Sequence, residues 1–264
     1  MKVGIIGLGV IGSACKYGFE KLGHNIKVHD IKFGTTIDEV IDTEINFICV
    51  PTPSLDNGSC DTNIVEMVVE ELNSRGYNGI VAIKSTVPPT TTLKLQEKTK
   101  MKLCFVPEFL RERCAISDFI ENHDVLAVGT DDDIVFQVVK KCHGNYPKNI
   151  VKMRPTEAEL LKYYSNVFNA MKITFANEMY EICKKLNIDY SIIKDSFIKR
   201  GTTKDVYLDV NENFRGYAGV CLPKDTKALD FFVKSIGMDL KLFETIDSEN
   251  KKFKKTVFNG MRLD

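Results

Sequence analysis

Apolar residues in the first half of the chain fall into short runs separated by polar, helix-periodic stretches. The runs at 2–6, 26–29, 45–50, 79–83, 102–106 and 125–129 predict six β-strands. Helical periodicity fills residues 10–22, 63–72, 91–98 and 131–142 between them. Pro51 and Pro53 stop the third strand, Asp56-Asn57-Gly58 marks a loop, and Thr62 is placed to cap the helix that follows. Pro88 and Pro89 break the chain after the fourth strand. Strands alternating with helices predict an α/β fold with a mainly parallel, doubly wound sheet.

The pattern changes near Pro155. Residues 156–186 contain no glycine or proline and read as one helix of about 45 Å. Its apolar positions include Leu160, Leu161, Tyr164, Val167, Phe168, Met171, Phe175 and Met179, and Thr156 to Glu159 resembles a capping box. Such a length suits a spine shared by two subunits, or a core helix within one. The chain divides on this reading into residues 1–154, carrying the sheet, and 155–264, an all-helical domain with one long central helix.

The first strand runs directly into Gly7-Leu8-Gly9-Val10-Ile11-Gly12 and then a helix. This is the Rossmann-type dinucleotide pattern. Gly7 permits the tight turn, Gly9 the approach of a pyrophosphate, and Gly12 close packing of helix on strand. The helix N-terminus at Val10 and Ile11 offers unpaired N–H groups to phosphates. Asp30, 18 residues after Gly12 at the end of the second strand, suits a ribose 2′-hydroxyl and repels a 2′-phosphate. NAD is therefore the expected cofactor.

Composition excludes other classes. The 264 residues carry 36 basic and 36 acidic side chains, so no general charge favours nucleic acid or an anionic membrane. No apolar run is long enough to span a bilayer. The N-terminus enters a strand without the pattern of a signal peptide, and the eight cysteines form no CxxC pair. A reducing cytoplasmic location and no bound metal are expected.

Candidate chemistry lies elsewhere along the chain. In Gly219-Val220-Cys221-Leu222-Pro223-Lys224-Asp225 a thiol precedes a carboxylate by four residues. A helix beginning there puts both on one face, where a thiol could attack a carbonyl and a carboxylate manage water. A buried structural cysteine beside a helix start fits the same residues. Lys162 and Asn166 stand four apart on the long helix, Glu108 and Glu112 four apart after the fifth strand, and Thr86 follows the fourth. Ligands of open α/β sheets bind outside the carboxyl ends of strands, which is where Thr86, Glu108 and Glu112 fall. Each pair alone also suits a solvated face.

Together these segments resemble the nucleotide-sugar 6-dehydrogenases, the UDP-glucose and GDP-mannose dehydrogenases. The resemblance is carried by Val50-Pro51-Thr52-Pro53 with Asp61, Val65 and Glu66, by Lys84-Ser85-Thr86-Val87-Pro88, and by Pro107 to Glu112. Ala158 to Asn166, Asn177-Glu178 and Cys221 to Asp225 complete it. It implies oxidation of a nucleotide sugar such as UDP-glucose to the uronic acid in two NAD-dependent steps, as in polysaccharide biosynthesis. Cys221 would carry a thiohemiacetal and then a thioester; Lys162 and Asn166 would stabilise an oxyanion. Asp225, Thr86 and Glu112 would order water, with Glu108 holding substrate or that water. Phe109, Leu110, Tyr217 and Gly219 join the implied substrate site, and Pro51, Thr52, Thr86 and Glu112 the cofactor site. The length of the 156–186 helix, rather than the resemblance, is the ground for expecting a homodimer through it.

The chain departs from the family pattern in four ways. It ends where the family continues into a further α/β domain, so a shortened form is expected. Ala218 and Arg113 occupy positions where glycine is usual, and an upstream Arg-Ile-Gly is not recognisable. Alanine at 218 would be strained if that backbone needs a positive φ. A β-hydroxyacid dehydrogenase, which needs no cysteine, and a non-catalytic partner subunit are the competing readings.

Overall fold

The computed structural model describes residues 1–258; the last six residues of the helical domain expected above lie outside it. It separates into two compact units. Among the described residues, unit 1 comprises 1–53 and 60–162, and unit 2 comprises 54–59 and those from 163 on.

Unit 1 is a seven-stranded sheet in the order β2-β1-β3-β4-β5-β6-β7. The strands are β1 (Lys2–Ile6), β2 (Asn25–His29), β3 (Ile45–Ile48), β4 (Ile80–Ile83), β5 (Lys102–Phe105), β6 (Val125–Gly129) and β7 (Asn149–Met153). The first five are parallel; β6 meets β5 antiparallel at Phe105 and Gly129, and β7 runs parallel to β6. All six expected strands form. The seventh was not expected, because Asn149–Met153 is an edge strand with mostly exposed side chains and no buried apolar run.

Alternate residues of each strand face opposite sides, and both sides are covered. Val3, Ile5, Ile45 and Phe47 pack with Ala14, Cys15 and Phe19 of α1 (Val10–Lys21), Phe119 of α4 (Ala115–Ile120), and Val135 and Val139 of α5 (Asp133–His143). Ile6, Ile48, Val81, Ile83, Leu103 and Phe105 pack with Val65, Val69 and Leu72 of α2 (Asn63–Ser74) and Leu95 of α3 (Thr91–Thr99). Thr62 does not cap α2 with its side chain. Its hydroxyl bonds Glu66, and Asp61 accepts the Asn63 N–H at 2.9 Å instead.

The long helix, α6, spans Pro155–Leu186. The capping box expected from Thr156 to Glu159 is not made. Helix geometry starts at Pro155, Glu157 accepts the Arg154 N–H at 2.8 Å, and Glu159 turns to a different helix.

Unit 2 holds the rest of α6 with α7 (Tyr190–Lys199), α8 (Leu222–Ser235) and α9 (Leu242–Asn250). Ala176, Cys183, Tyr190 and Leu208 form one core cluster. The Tyr190 hydroxyl donates to the Leu208 carbonyl at 2.8 Å and anchors the irregular segment before α8.

The exposed face of α6 carries six large apolar side chains, while Tyr163 is buried. Leu160, Tyr164, Phe168, Phe175, Ile182 and Leu186 are all exposed. At 100° per residue they fall on one stripe about 40 Å long. Glu159, Lys162, Asn166 and Asn177 are buried, beside Ala158, Val167 and Ala170. Part of the apolar pattern of this helix, from Leu160 to Leu186, therefore marks an outward face of the single chain, while Val167 faces inward.

Candidate active site

The glycine-rich turn of unit 1 has the sterics of a phosphate cradle. Gly7 takes φ +90°, and a Cβ there would lie 2.7 Å from the Cys49 carbonyl oxygen. A Cβ on Gly12 would lie 1.9 Å from the Gly7 oxygen. Neither position accepts another residue without moving backbone. A Cβ on Gly9 would meet nothing within 4 Å, so that face is open. Gly9 is the N-cap of α1, and no acidic residue stands in the first turn to oppose an anion near Val10 and Ile11.

Asp30 closes this turn. Its carboxylate accepts the Leu8 N–H at 2.6 Å and the Lys32 N–H at 2.8 Å. Burial raises its carboxyl, but those two bonds and the Lys32 charge outweigh it and hold the group below the usual carboxylate range. It is an anion at neutral pH with lone pairs left for a diol. The open Gly9 face, the acid-free helix end and this carboxylate together fit an adenosine dinucleotide.

Two more loops lie at the carboxyl ends of neighbouring strands. The Ser85 hydroxyl donates to the Val50 carbonyl at 2.7 Å and ties the turn after β4 to the loop after β3. The Cys60 thiol lies 3.5 Å from the Thr86 carbonyl oxygen and 3.9 Å from that of Thr52. Thr52 is buried, Pro51 exposed and Thr86 half-buried. These residues form one connected rim beside the glycine-rich turn.

The loop after β5 is held from two sides. The ammonium of Lys162 donates to the Glu108 carbonyl at 2.7 Å and to its carboxylate at 2.8 Å, and both side chains are largely buried. Glu108 also accepts the Leu110 N–H at 2.8 Å, and the Phe109 ring lies 5.7 Å from the Lys162 nitrogen. Asp118 accepts from the Arg111 backbone N–H and, side-on, from Nε and Nη2 along one edge of its guanidinium. Glu112 opens the short 3-10 turn that follows. Sequence reasoning missed Asp118; a carboxylate seven residues beyond Arg111, inside an unforeseen helix, was the available signal.

In unit 2, α8 begins at Leu222 with Cys221 as its N-cap and Pro223 in the first turn. Cys221 is exposed, which argues against a buried structural role. Asp225, one turn on, is almost fully buried; it accepts from Asn166 at 2.5 Å and from Lys224 at 2.6 Å. Thiol and carboxylate are thus one turn apart but differ in exposure. Tyr217 is fixed through its backbone by two bonds to the Asn250 side chain, at 2.9 and 3.0 Å. Gly219 takes φ +81°, whereas Ala218 is not among the residues with positive φ. The strain expected at Ala218 is therefore absent, because the left-handed position falls one residue later, on a glycine.

Arg215, upstream of the Cys221 segment, is buried. It donates to Asn177 at 2.8 Å, pairs with Glu181 and lies against the rings of Tyr180 and Phe253. It holds the segment leading to Cys221 on α6.

Family models complete the assignment. Residues 29–146 match the NAD binding domain of the UDP-glucose/GDP-mannose dehydrogenase family, and residues 156–252 match its central domain. The chain belongs to the UDP-glucose/GDP-mannose dehydrogenase family. It is 27% identical to the UDP-glucose 6-dehydrogenase AglM of Haloferax volcanii, over 92% of this chain and 68% of that one. It is 32% identical to a UDP-glucose 6-dehydrogenase of Rickettsia bellii, over 81% of this chain and 51% of the relative. A UDP-glucose dehydrogenase from Pyrobaculum islandicum superposes with a TM-score of 0.84 at 28% identity, covering 95% of this chain and 68% of that one. The chain thus spans about half to two thirds of the length of these family members. Among the described residues no helix is long and apolar enough to cross a membrane.

Proposed function

We propose that this family member oxidises the primary alcohol of a nucleotide sugar of the UDP-glucose type to the carboxylate. The observation that supports this most is Cys221 at the exposed N-cap of α8, one turn before a buried Asp225. The N-terminal end of a helix favours negative charge, so a thiolate there is well placed as a nucleophile.

NAD, when bound, supplies the hydride acceptor for both oxidations. Gly7, Gly9, Val10, Ile11, Gly12 and Asp30, with Pro51, Thr52, Thr86 and Glu112, would hold it, in a domain spanning residues 1–154. In the helical domain, 155–264, Cys221 would be the nucleophile for the aldehyde carbon. The sulfur adds to that carbon, and Lys162 and Asn166 stabilise the negative charge on its oxygen. Oxidation of the thiohemiacetal leaves a thioester on Cys221. Asp225, Thr86 and Glu112 order and deprotonate the water that releases the acid, and Glu108 holds substrate or that water. Phe109, Leu110, Tyr217 and Gly219 would line the sugar.

The exposed stripe from Leu160 to Leu186 supports a homodimer. An apolar row of this length on a helix of one chain marks an interaction site, and a second copy offers the same row to an isologous contact.

The test is NADH production against a panel of UDP- and GDP-sugars. Two NADH per sugar are expected. Cys221→Ser should still bind cofactor but fail to release acid. A serine variant that forms acid at the wild-type rate would refute the covalent route.

A further inference from the structure

We infer that Glu159 is a positioning residue that fixes the distance between the Thr86 turn and Lys162. The inference rests on the cofactor and catalytic roles proposed above for those two residues.

Glu159 is a fully buried carboxylate in unit 1. One oxygen accepts the Thr90 N–H at 2.6 Å, and the other accepts the Thr92 N–H at 2.7 Å. These donors belong to the N-terminus of α3, where Thr90 is the N-cap and makes no side-chain cap of its own. Glu159 therefore caps α3 from a helix 67 to 69 residues away. A surface helix needs no such partner, since water satisfies its first turn.

The backbone it holds is unusual. Thr90 has φ +81°, a region that β-branched residues seldom adopt. Such a conformation persists only where surrounding contacts over-determine it. Thr90 is linked to Thr86 through Val87, which is buried, and through Pro88 and Pro89, whose rings limit rotation. The other end of this turn is tied by Ser85 to the loop after β3. A shift at Thr90 is thus passed back along this stiff segment towards Thr86. Glu159 also stands three residues before Lys162 on α6, within the same helical turn. One side chain therefore ties the turn bearing Thr86 to the helix bearing Lys162.

The carboxyl is also sensitive to pH. Burial pushes it up to about 7, against the lowering effect of the Thr92 and Thr90 bonds and of Lys94 on α3, the charged side chain acting on it. Protonation turns one oxygen into a donor, and one of the two N–H groups loses its acceptor.

The experiment uses the full chain and its Glu159→Gln variant. Titration calorimetry measures NAD affinity from pH 6 to 8.5, with thermal melting alongside, and kcat and KM are measured where wild type turns over a nucleotide sugar. Wild-type affinity should weaken as pH falls through about 7. The variant should bind NAD about tenfold more weakly at pH 8, the scale of one lost bond to a charged group. Its affinity should not change with pH over that window, and kcat should fall more than the sugar KM rises. Glu159→Asp carries the test if the amide variant does not fold. It keeps the charge but shortens the reach, so weaker binding with the pH dependence retained supports the role. A folded variant with wild-type NAD affinity and the wild-type pH profile overturns the inference. Wild-type protein that binds NAD but oxidises no nucleotide sugar refutes the proposed reaction, and the NAD titration still decides the role of Glu159.

Discussion

Replacing Lys162 by methionine separates the structural work of this residue from its catalytic work. The ammonium makes two bonds to Glu108, at 2.7 and 2.8 Å, and only 5% of its side-chain surface is exposed, against 11% for its partner. Methionine fills most of the volume but leaves the Glu108 carboxylate buried, with the Leu110 N–H still donating to it. Breaking a buried pair by removing one partner costs about 3–5 kcal/mol. The surviving Leu110 bond places the expected loss near the lower end, about 3 kcal/mol. At about 2–4 °C per kcal/mol for a unit of this size, the melting temperature should fall by about 6–12 °C. Adding Glu108→Gln removes the stranded charge and should restore all but about 1 kcal/mol, which makes the two changes strongly non-additive. Denaturant melts of the two single variants and the double variant measure this. The reasoning fails if Lys162→Met costs under about 1 kcal/mol, or if the double variant is no more stable than Lys162→Met. With the oxyanion role proposed above, kcat should fall by a further factor of about 10²–10³.

Three other outcomes are expected. Asp30→Ala should bring NADP affinity within reach of NAD affinity, closing a gap of about tenfold or more, as calorimetry with both cofactors will show. Two groups shifted by desolvation, half-buried His123 and buried Glu159, should give opposing pH dependences of stability. Burial and the Lys84 charge depress His123 to about 4, so its contribution is present above pH 6.5 and lost as pH falls towards 4. Glu159, raised to about 7 by burial, contributes stability below pH 4.5 that is lost as pH rises through 7. Each is worth about 3 kcal/mol, so urea melts should show stability falling more steeply from pH 4.5 to 7 in His123→Asn, and rising more steeply in Glu159→Gln. Fully buried His143, also held neutral by desolvation, adds to the loss at low pH. Finally, Phe168→Glu with Phe175→Glu should turn a dimer into a monomer in light scattering at micromolar protein. A wild-type monomer would refute the dimer reading.

Much of unit 1 could be read locally. A buried strand needs a short apolar run, and β1, β3 and β4 each supply one. The glycine-rich turn was legible because its constraint is steric and lies within a few residues: Gly12 packs on Gly7, five positions away. Cys221 at a helix start was legible for a similar reason, since Pro223 suits the first turn of a helix. The edge strand β7 was not, because a half-exposed strand has no apolar run.

The long helix shows where local reading stops. Its period comes from its own backbone, and the sequence determined its existence and nearly its whole length. Which face it buries depends on what lies opposite. Hydrophobicity alone would turn Leu160, Tyr164 and Phe168 inward and leave Glu159, Lys162 and Asn166 in water. The structure does the reverse, because partners remote in sequence satisfy each polar group: Thr90 and Thr92 for Glu159, Glu108 for Lys162 and Asp225 for Asn166. A buried charge is tolerable only when such partners are in place. No local pattern encodes a donor that folding brings from 54 to 69 residues away.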